Sequence, residues 1–398
     1  MARAGLWIVL GVMVLLGGCQ PHTPAGAAAA PGLDRLSLLR AGAAPGFARA
    51  AGPRRFEFPA DHGPHPQFRH EWWYFTGQLQ GADGERFGFE LTVFRLALRP
   101  PSDEPAVTSA WQSRQLYAAH FAITDLGRRR FFTATRYARD ALGLAGARAQ
   151  PFALQVADWS VMEVAGGAAL HWRLEAADSA YQLQLDLSSD RPPVLNGEAG
   201  LSRKADALGA ASYYYSMPRL NATGRLIRAG TAVPVSGLVW LDREWGSGAL
   251  GPQQQGWDWF ALDFEDGSSL MFYALRDRDG SRDPHSAGTF VDAAGGAQAL
   301  GSADVQIQVL RQWRSPRGGS YPAQWRLRVP ALDLELQVVP LLEDQELPTQ
   351  PRYWEGAVRV TGRRRGAPLG AAGYVELVGY AQDQASTSTP SATTAPGH

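Results

Sequence analysis

The 398-residue chain has little of several residue types that often carry a function. It has one cysteine, which excludes an internal disulfide and a cysteine-rich zinc site. Its 38 basic and 38 acidic residues cancel, and this balance excludes the basic excess typical of nucleic-acid-binding proteins. Lys204 is the only lysine, which we interpret as codon usage. Because 45% of the residues are hydrophobic, the composition also excludes wholesale disorder.

Several sequence motifs of enzymes are also missing. There is no G-x-S-x-G nucleophile motif and no H-E-x-x-H metal motif. Residues 246–251 match G-x-G-x-x-G, but Pro252 and three glutamines follow where a dinucleotide site needs a helix. His62, His65 and His70 cluster without an ordered set of further ligands. We therefore predict no metal and no cofactor.

The first 20 residues predict export. Arg3 precedes an apolar run from Leu6 to Leu16, which is too short to span a bilayer comfortably. The sequence Leu-Gly-Gly-Cys that ends at Cys19 resembles a bacterial lipobox, so we predict cleavage before Cys19 and its lipidation. Gln20 is typical of outer-membrane sorting. The predicted location is the bacterial cell envelope, facing the periplasm; a plain signal peptide with a chance cysteine is the alternative.

The rest of the chain reads as strands. Apolar and polar residues alternate over 87–94, 181–187, 305–309, 325–329 and 332–338, and no amphipathic helix of three turns interrupts them. This pattern predicts an all-β protein with one face of each strand toward water. We predict five segments: a signal peptide (1–18), a lipidated tether (19–50), two β domains (51–250 and 251–383) and a disordered tail (384–398).

Three segments combine aromatic and acidic residues: 70–77, 239–246 and 256–264. Alternate residues of a strand share a face, so Trp240, Asp242 and Glu244 lie together, opposite Arg243 and Trp245. Whichever face points inward, a charged group is buried with aromatic rings. Such a group must be paired or must change its pKa.

Two interpretations of these segments remain open. One is a structural cluster, in which Glu71 or Asp242 pairs with Arg243. The other is an apolar pocket in which a protonated carboxylic acid acts as a general acid beside aromatic faces. The candidate catalytic residues are Asp242, Glu244, Glu71 and Asp258. The candidate ligand-binding residues are Trp72, Trp73, Tyr74, Trp240, Trp245, Trp257, Trp259, Arg243 and Tyr273.

The same segments, with 213–226 and 353–362, resemble the AttH-like/carotenoid 1,2-hydratase family over most of residues 55–380. The resemblance implies two lipocalin-like antiparallel β-barrel or sandwich domains packed together. It also implies an apolar ligand, since family members with assigned activities hydrate or cyclise polyenes. AttH members encoded beside exporter subunits suggest an ABC exporter as partner. In the carotenoid hydratases, a histidine lies two residues before the tryptophan that matches Trp245. This chain has Arg243 at that position.

These observations lead to a main prediction and two alternatives. The main prediction is a membrane-anchored lipoprotein that binds an elongated lipid- or polyene-like ligand. The first alternative is a carotenoid 1,2-hydratase-like hydro-lyase, or a cyclase, that protonates a polyene with a carboxylic acid. Hydrolase activity is a third hypothesis, suggested by the descriptive family label, but no nucleophile motif supports it.

Overall fold

The fold is all-β, as predicted. A computed structural model describes residues 45–101, 109–164, 170–248 and 250–381. The predicted signal peptide, Cys19, most of the tether and the predicted tail lie outside the described residues. The described helices are short 3-10 turns at Ala60–His62, Ala141–Gly143 and Pro330–Leu332. None of the described helices has the length and apolar character needed to cross a membrane.

Two antiparallel sheets follow one another along the chain. The first contains β1 (His70–Gly81), β2 (Arg86–Ala97), β3 (Gln115–Asp125), β4 (Arg130–Arg139), β5 (Ala145–Ala149), β6 (Phe152–Val156), β7 (Trp159–Glu163), β8 (Leu170–Ala177), β9 (Tyr181–Ser189), β10 (Val194–Leu195), β11 (Leu201–Arg203), β12 (Ala211–Arg228) and β13 (Thr231–Gly246). The second contains β14 (Gln254–Phe264), β15 (Ser269–Asp277), β16 (Ala287–Val291), β17 (Ala297–Gly301), β18 (Gln306–Arg314), β19 (Ser320–Val329), β20 (Leu334–Pro340), β21 (Glu346–Leu347), β22 (Tyr353–Arg364) and β23 (Ala367–Leu377).

Strand order is close to chain order in both sheets. The first sheet runs β4-β3-β2-β1-β13-β12-β9-β8-β7-β6-β5, and β10 and β11 pair with β12. The second runs β17-β16-β15-β14-β23-β22-β20-β19-β18, and β21 pairs with β22. Each curls around its own apolar core, as expected for lipocalin-like domains. The predicted domain boundary after residue 250 falls in the link between β13 and β14.

The central strands of the first sheet are buried on both faces. Trp73, Leu241 and Trp245 point into the core of the first sheet, whereas Tyr74 and Trp240 belong to a third apolar cluster shared with the second sheet. The prediction that one face of each strand meets water is therefore wrong for β1 and β13. The second sheet covers the face that would otherwise be wet.

Close approach of the two sheets depends on a glycine. A Cβ atom at Gly88 of β2 would lie 2.6 Å from the Cβ of Ala357 in β22. Hydrogen bonds also cross the interface: Gln78 donates to the carbonyls of Val358 (2.7 Å) and Gly373 (2.8 Å). The sheets are thus packed directly, and polar groups between them are enclosed.

A buried ion cluster stabilises the inner side of the first sheet. The carboxylate of Glu71 is fully buried and accepts hydrogen bonds from Arg95 and Arg243 and from the backbone N–H of His65. Burial alone would raise the pKa of Glu71, but the two guanidinium charges outweigh it and hold that pKa well below its usual range. The Arg243 guanidinium also lies 3.9 Å from the Trp73 ring centroid.

We expect Glu71→Gln to lower the free energy of unfolding by about 3–5 kcal/mol, because it removes one partner from a buried charge pair. Glu335→Gln is the matched control: Glu335 pairs with Arg328 at 2.9 Å but is about half exposed, so its loss should cost below about 1 kcal/mol. Urea unfolding of both variants measures the difference. Equal effects would show that the Glu71 cluster is not a structural element.

Candidate functional site

A cavity of about 80 Å³ lies between the two sheets, beside the outer face of β13. Its charged lining residues are Lys204, Asp242, Glu244 and Glu376. Its aromatic lining residues are Trp72, Tyr74, Phe94, Tyr214, Trp257, Trp259 and Tyr273. Leu250 and Leu275 complete the wall. We call this space the catalytic cavity, since it contains two of the four predicted catalytic carboxyls.

Asp242 is the strongest candidate for a proton donor. Its Oδ1 accepts hydrogen bonds from Ser216 (2.5 Å) and from the indole N–H of Trp240 (2.7 Å), and its Oδ2 is bonded to the Tyr214 hydroxyl. Burial raises the pKa of Asp242 to about 7, although these hydrogen bonds oppose the rise and the charge of Glu244 adds to it. The carboxyl is therefore protonated for much of the time near neutral pH.

The proton on Asp242 has a defined place. An indole can only donate, so Trp240 requires Oδ1 to accept, and a proton on Oδ2 lies toward the Tyr214 oxygen. That oxygen also accepts a hydrogen bond from Trp259 at 3.2 Å. When protonated Asp242 donates this hydrogen bond, the Tyr214 hydroxyl no longer donates to Asp242. Its own hydrogen is then available to another acceptor. Both side chains line the catalytic cavity, so together they form a donor pair there.

Glu244 lies two residues further along the same face of β13 and is held by a cation. Lys204 Nζ lies 3.4 Å from Glu244 Oε1, and Ser212 donates to the same oxygen. Burial lowers the pKa of Lys204, but Glu244 and the Tyr273 hydroxyl more than offset this and keep the pKa above its usual value. The Lys204 ammonium lies 3.8 Å from the Tyr273 ring centroid. Glu244 is thus an ion-paired carboxylate next to a protonated carboxyl.

The remaining polar groups of the wall come from both sheets. Tyr74 donates to Glu355 at 2.7 Å, and Trp257 donates to Glu376 at 2.9 Å. Trp259 packs edge-to-face on Tyr74, with ring centroids 5.0 Å apart. These contacts fix the rings around the cavity, so their faces can stabilise a developing positive charge.

The structure separates the predicted site residues into two groups. Asp242, Glu244, Trp72, Tyr74, Trp257, Trp259 and Tyr273 line the catalytic cavity. Trp73, Trp245, Arg243 and Glu71 lie on the opposite face, in the first core and its ion cluster, because they differ by one position in strand parity. They do not reach this cavity.

Two further predicted residues do not line the catalytic cavity. Trp240 lines a larger cleft of about 640 Å³ and reaches the site through its hydrogen bond to Asp242. Asp258 is paired with Arg276 at 2.7 Å and accepts from Tyr380 at 2.8 Å. Sequence reasoning missed Lys204 and Tyr214; the signal for Lys204 was its being the only lysine.

No group of three or more histidine, cysteine or acidic side chains in the described part of the chain is arranged to hold a metal ion. The clustered histidines have other contacts: His65 bonds to Asp61 at 3.0 Å, and His62 to Tyr215 at 2.7 Å.

The family model described as AttH-like matches residues 49–380. The chain belongs to the AttH-like family. A crystal structure described as AttH from Nitrosomonas europaea is 34% identical, covers 84% of this chain and all of its own, and superimposes with a TM-score of 0.75. Kievitone hydratase from Nectria haematococca has a TM-score of 0.62, with 84% of this chain and 98% of its own covered. At 15% identity, that likeness shows a shared fold.

One curated relative carries an activity in its name. This AttH-like protein is 26% identical over 218 residues to the dehydratase asqC of Emericella nidulans, covering 52% of this chain. The aligned region spans 60% of that relative's length. The family resemblance inferred from the sequence is therefore confirmed. The comparisons favour the hydro-lyase alternative over the main prediction of a lipid-binding lipoprotein, while the lipid anchor, the location and the exporter partner stay predictions.

The pKa of Asp242 predicts a pH dependence of stability. Between its ordinary pKa of 3.8 and its folded value of about 7, the folded chain binds a proton that the unfolded chain lacks. The free energy of unfolding should therefore fall as the pH rises from about 4 to about 7. The difference corresponds to roughly 4 kcal/mol, which Asp242→Asn should abolish.

Urea unfolding at pH 4 to 8 measures this slope. Asp263→Asn is the comparison variant, since burial raises the pKa of Asp263 to about 6, and a smaller part of the slope should disappear. If Asp242→Asn keeps the slope of the unchanged protein, Asp242 is ionised in the folded state at neutral pH.

Proposed function

We propose that this AttH-like protein is a hydro-lyase that adds water to, or removes water from, an apolar unsaturated substrate. The observation that carries the proposal is a pair of unlike carboxyls in one aromatic cavity. Burial raises the pKa of Asp242 to about 7, and Glu244 is paired with Lys204. General acid–base chemistry needs one group that gives a proton and one that takes it. The similarity to a dehydratase supports the same class of reaction.

In the direction of hydration, the first step is proton transfer to the double bond. The proton of the Asp242–Tyr214 pair passes to one alkene carbon, which leaves Asp242 ionised and a positive charge on the other carbon. Trp257 and Trp259 line the cavity in which that charge would develop, whereas the Tyr273 ring already contacts the Lys204 ammonium. The two indoles would therefore do more than exclude water, since aromatic rings stabilise a nearby positive charge.

The second step is the capture of water. A water oxygen bonds to the cationic carbon, and one of its protons passes to the Glu244 carboxylate. Glu244 is then protonated and Asp242 ionised, and proton exchange with solvent restores both. Dehydration follows the same steps in reverse. Glu244, which is paired with Lys204, is the carboxylate that accepts the proton.

The mechanism predicts that Asp242→Asn lowers turnover by at least about 100-fold, because an amide cannot give the proton. The assay uses a panel of isoprenoid alkenes and the matching tertiary alcohols in H₂¹⁸O, with ¹⁸O gain or water loss read by mass spectrometry. Binding, followed by tryptophan fluorescence, should persist. Turnover of the unchanged protein should decline above about pH 7 as Asp242 ionises.

Asp263→Asn is the matched control for this assay. Asp263 is also a largely enclosed carboxyl with a raised pKa, but it lines the larger cleft and not the catalytic cavity. Its substitution should leave turnover within about twofold of the unchanged protein. Equal losses in the two variants, or normal turnover in Asp242→Asn, would contradict the assignment of Asp242 as the acid.

Tyr214→Phe tests whether the proton passes through the phenol. We expect a loss of turnover similar to that of Asp242→Asn. Tyr215→Phe is the control: Tyr215 is the next residue of β12, points to the opposite face and bonds to His62. Retained activity in Tyr214→Phe would show that Asp242 gives its proton to the substrate directly.

A further inference from the structure

A second cavity, of about 70 Å³, lies behind the rings of Trp72 and Phe94 as seen from the catalytic cavity. Both rings line both cavities, so they form a shared wall. Trp72 and Phe94 face each other across β1 and β2, and each is only partly buried. We call the second space the distal cavity. Its polar lining residues include His70, Arg95 and His120.

His70 lies at the distal cavity with unused hydrogen-bonding capacity. Its side chain is 7% exposed, and neither ring nitrogen has a hydrogen-bond partner among the described residues. Burial, with the charges of Arg69 and Arg95, lowers the pKa of His70 to about 3, so the ring is neutral. A neutral imidazole has one N–H donor and one acceptor nitrogen. Burying both without partners costs free energy, and a ligand that both accepts and donates would recover it.

The hydrogen-bonding groups of His70 decide which ligand group fits. Arg95 is in the lining of the distal cavity, but its guanidinium belongs to the ion cluster on the inner side of the first sheet, where it pairs with Glu71. The His70 ring thus offers one donor and one acceptor nitrogen on the outer face. A hydroxyl group both accepts and donates, and it matches this set. A carboxylate or a ketone only accepts, and would leave the acceptor nitrogen of His70 unpaired.

The spacing of the two cavities gives the length of such a ligand. Tyr74 is opposite Asp242, and His70 is four residues earlier on β1. At about 3.3 Å per residue, the two positions are roughly 13 Å apart along the strand. A short unsaturated chain with its reacting carbons beside Asp242 therefore reaches His70 with its other end.

We propose that the distal cavity binds a hydroxyl group at the far end of the substrate, which is accordingly an apolar unsaturated alcohol that spans the Trp72–Phe94 wall. The reacting end of this substrate rests on the proposed hydro-lyase function. Binding of the far end does not, because it uses residues of a different cavity.

Geraniol is the probe, since it is an unsaturated chain of this length with a terminal hydroxyl. The comparison probes are geranic acid and 2,6-dimethyl-2,6-octadiene, which share its skeleton and carry a carboxylate or no polar group. Dissociation constants come from tryptophan fluorescence quenching. We expect geraniol to bind about 5- to 10-fold more tightly than the hydrocarbon, as one or two hydrogen bonds would give.

His70→Phe should remove this preference and leave the affinity for the hydrocarbon unchanged. His70→Gln, which can still donate and accept, should restore part of it. His171→Phe is the control, since His171 lies on β8 outside both cavities. Because the His70 ring makes no hydrogen bond within the described chain, His70→Phe should unfold at the same temperature or a higher one. If His70→Phe does not fold, the affinities of His70→Gln for the three probes test the proposal instead.

Three results would overturn the proposal: equal binding of geraniol and the hydrocarbon, a preference that survives His70→Phe, or tighter binding of geranic acid. Absence of geraniol binding up to its solubility limit would do the same. The titrations are repeated in Asp242→Asn. A His70-dependent preference without turnover in the unchanged protein would refute the hydro-lyase function alone. Turnover without that preference would refute the hydroxyl site alone.

Discussion

The packing of the second sheet against the outer face of β13 is the constraint on which the site depends. Asp242 and Glu244 point from that face, and in a free sheet they would meet water and behave as ordinary carboxyls. The close contact at Gly88 and the hydrogen bonds of Gln78 enclose them instead. Once water is excluded, an ionised carboxyl is costly even with three hydrogen bonds, and the pKa of Asp242 rises to about 7.

The two faces of β13 solve the problem of buried charge in opposite ways. On the inner face, Glu71 stays ionised because Arg95 and Arg243 surround it, and nothing in that cluster is left to react. On the outer face, the pKa of Asp242 rises and Glu244 is paired with Lys204. Arg243, where the carotenoid hydratases have a histidine, pairs with Glu71 on the inner face. The difference from the hydratases therefore lies away from the catalytic cavity.

Strand parity predicted the grouping of residues in the site but could not predict which face carries it. Asp242 and Glu244 were expected on one face, and Arg243 and Trp245 on the other; the structure shows this division. Both faces are apolar, however, because each meets a different core, and so Trp73 and Trp245, predicted to bind the ligand, lie in the first core and away from the catalytic cavity. A sequence pattern predicts that side chains alternate between the two faces of a strand. It does not predict which of two apolar cores each face contacts.

Sequence reasoning missed Lys204 and Tyr214 as site residues, for two different reasons. Tyr214 is opposite Glu244, but a β-bulge between Met217 and Leu220 shifts the register of β12, and no turn length reveals such a shift. Lys204 was visible, because a chain that otherwise uses arginine has one lysine. Codon usage explains an excess of arginine, but not a buried lysine whose ammonium lies 3.4 Å from a carboxylate. A compact ammonium fits beside Tyr273 where a planar guanidinium would need more room.

The small volume of the catalytic cavity bears on the proposed chemistry. About 80 Å³ is too little for an elongated ligand held whole, but it fits the few atoms at which a bond would change, whereas the cleft lined by Trp240 has about 640 Å³. In the proposed reaction, a cation formed in the small cavity would meet few water molecules, so its capture would depend on the one that Glu244 orients. The rest of a substrate would have to displace Trp72 and Phe94, which with Trp257 are the partly buried rings of the aromatic wall. The rest of the substrate would then fill the opening and exclude water from the reacting end. Proton transfer would occur only after this step.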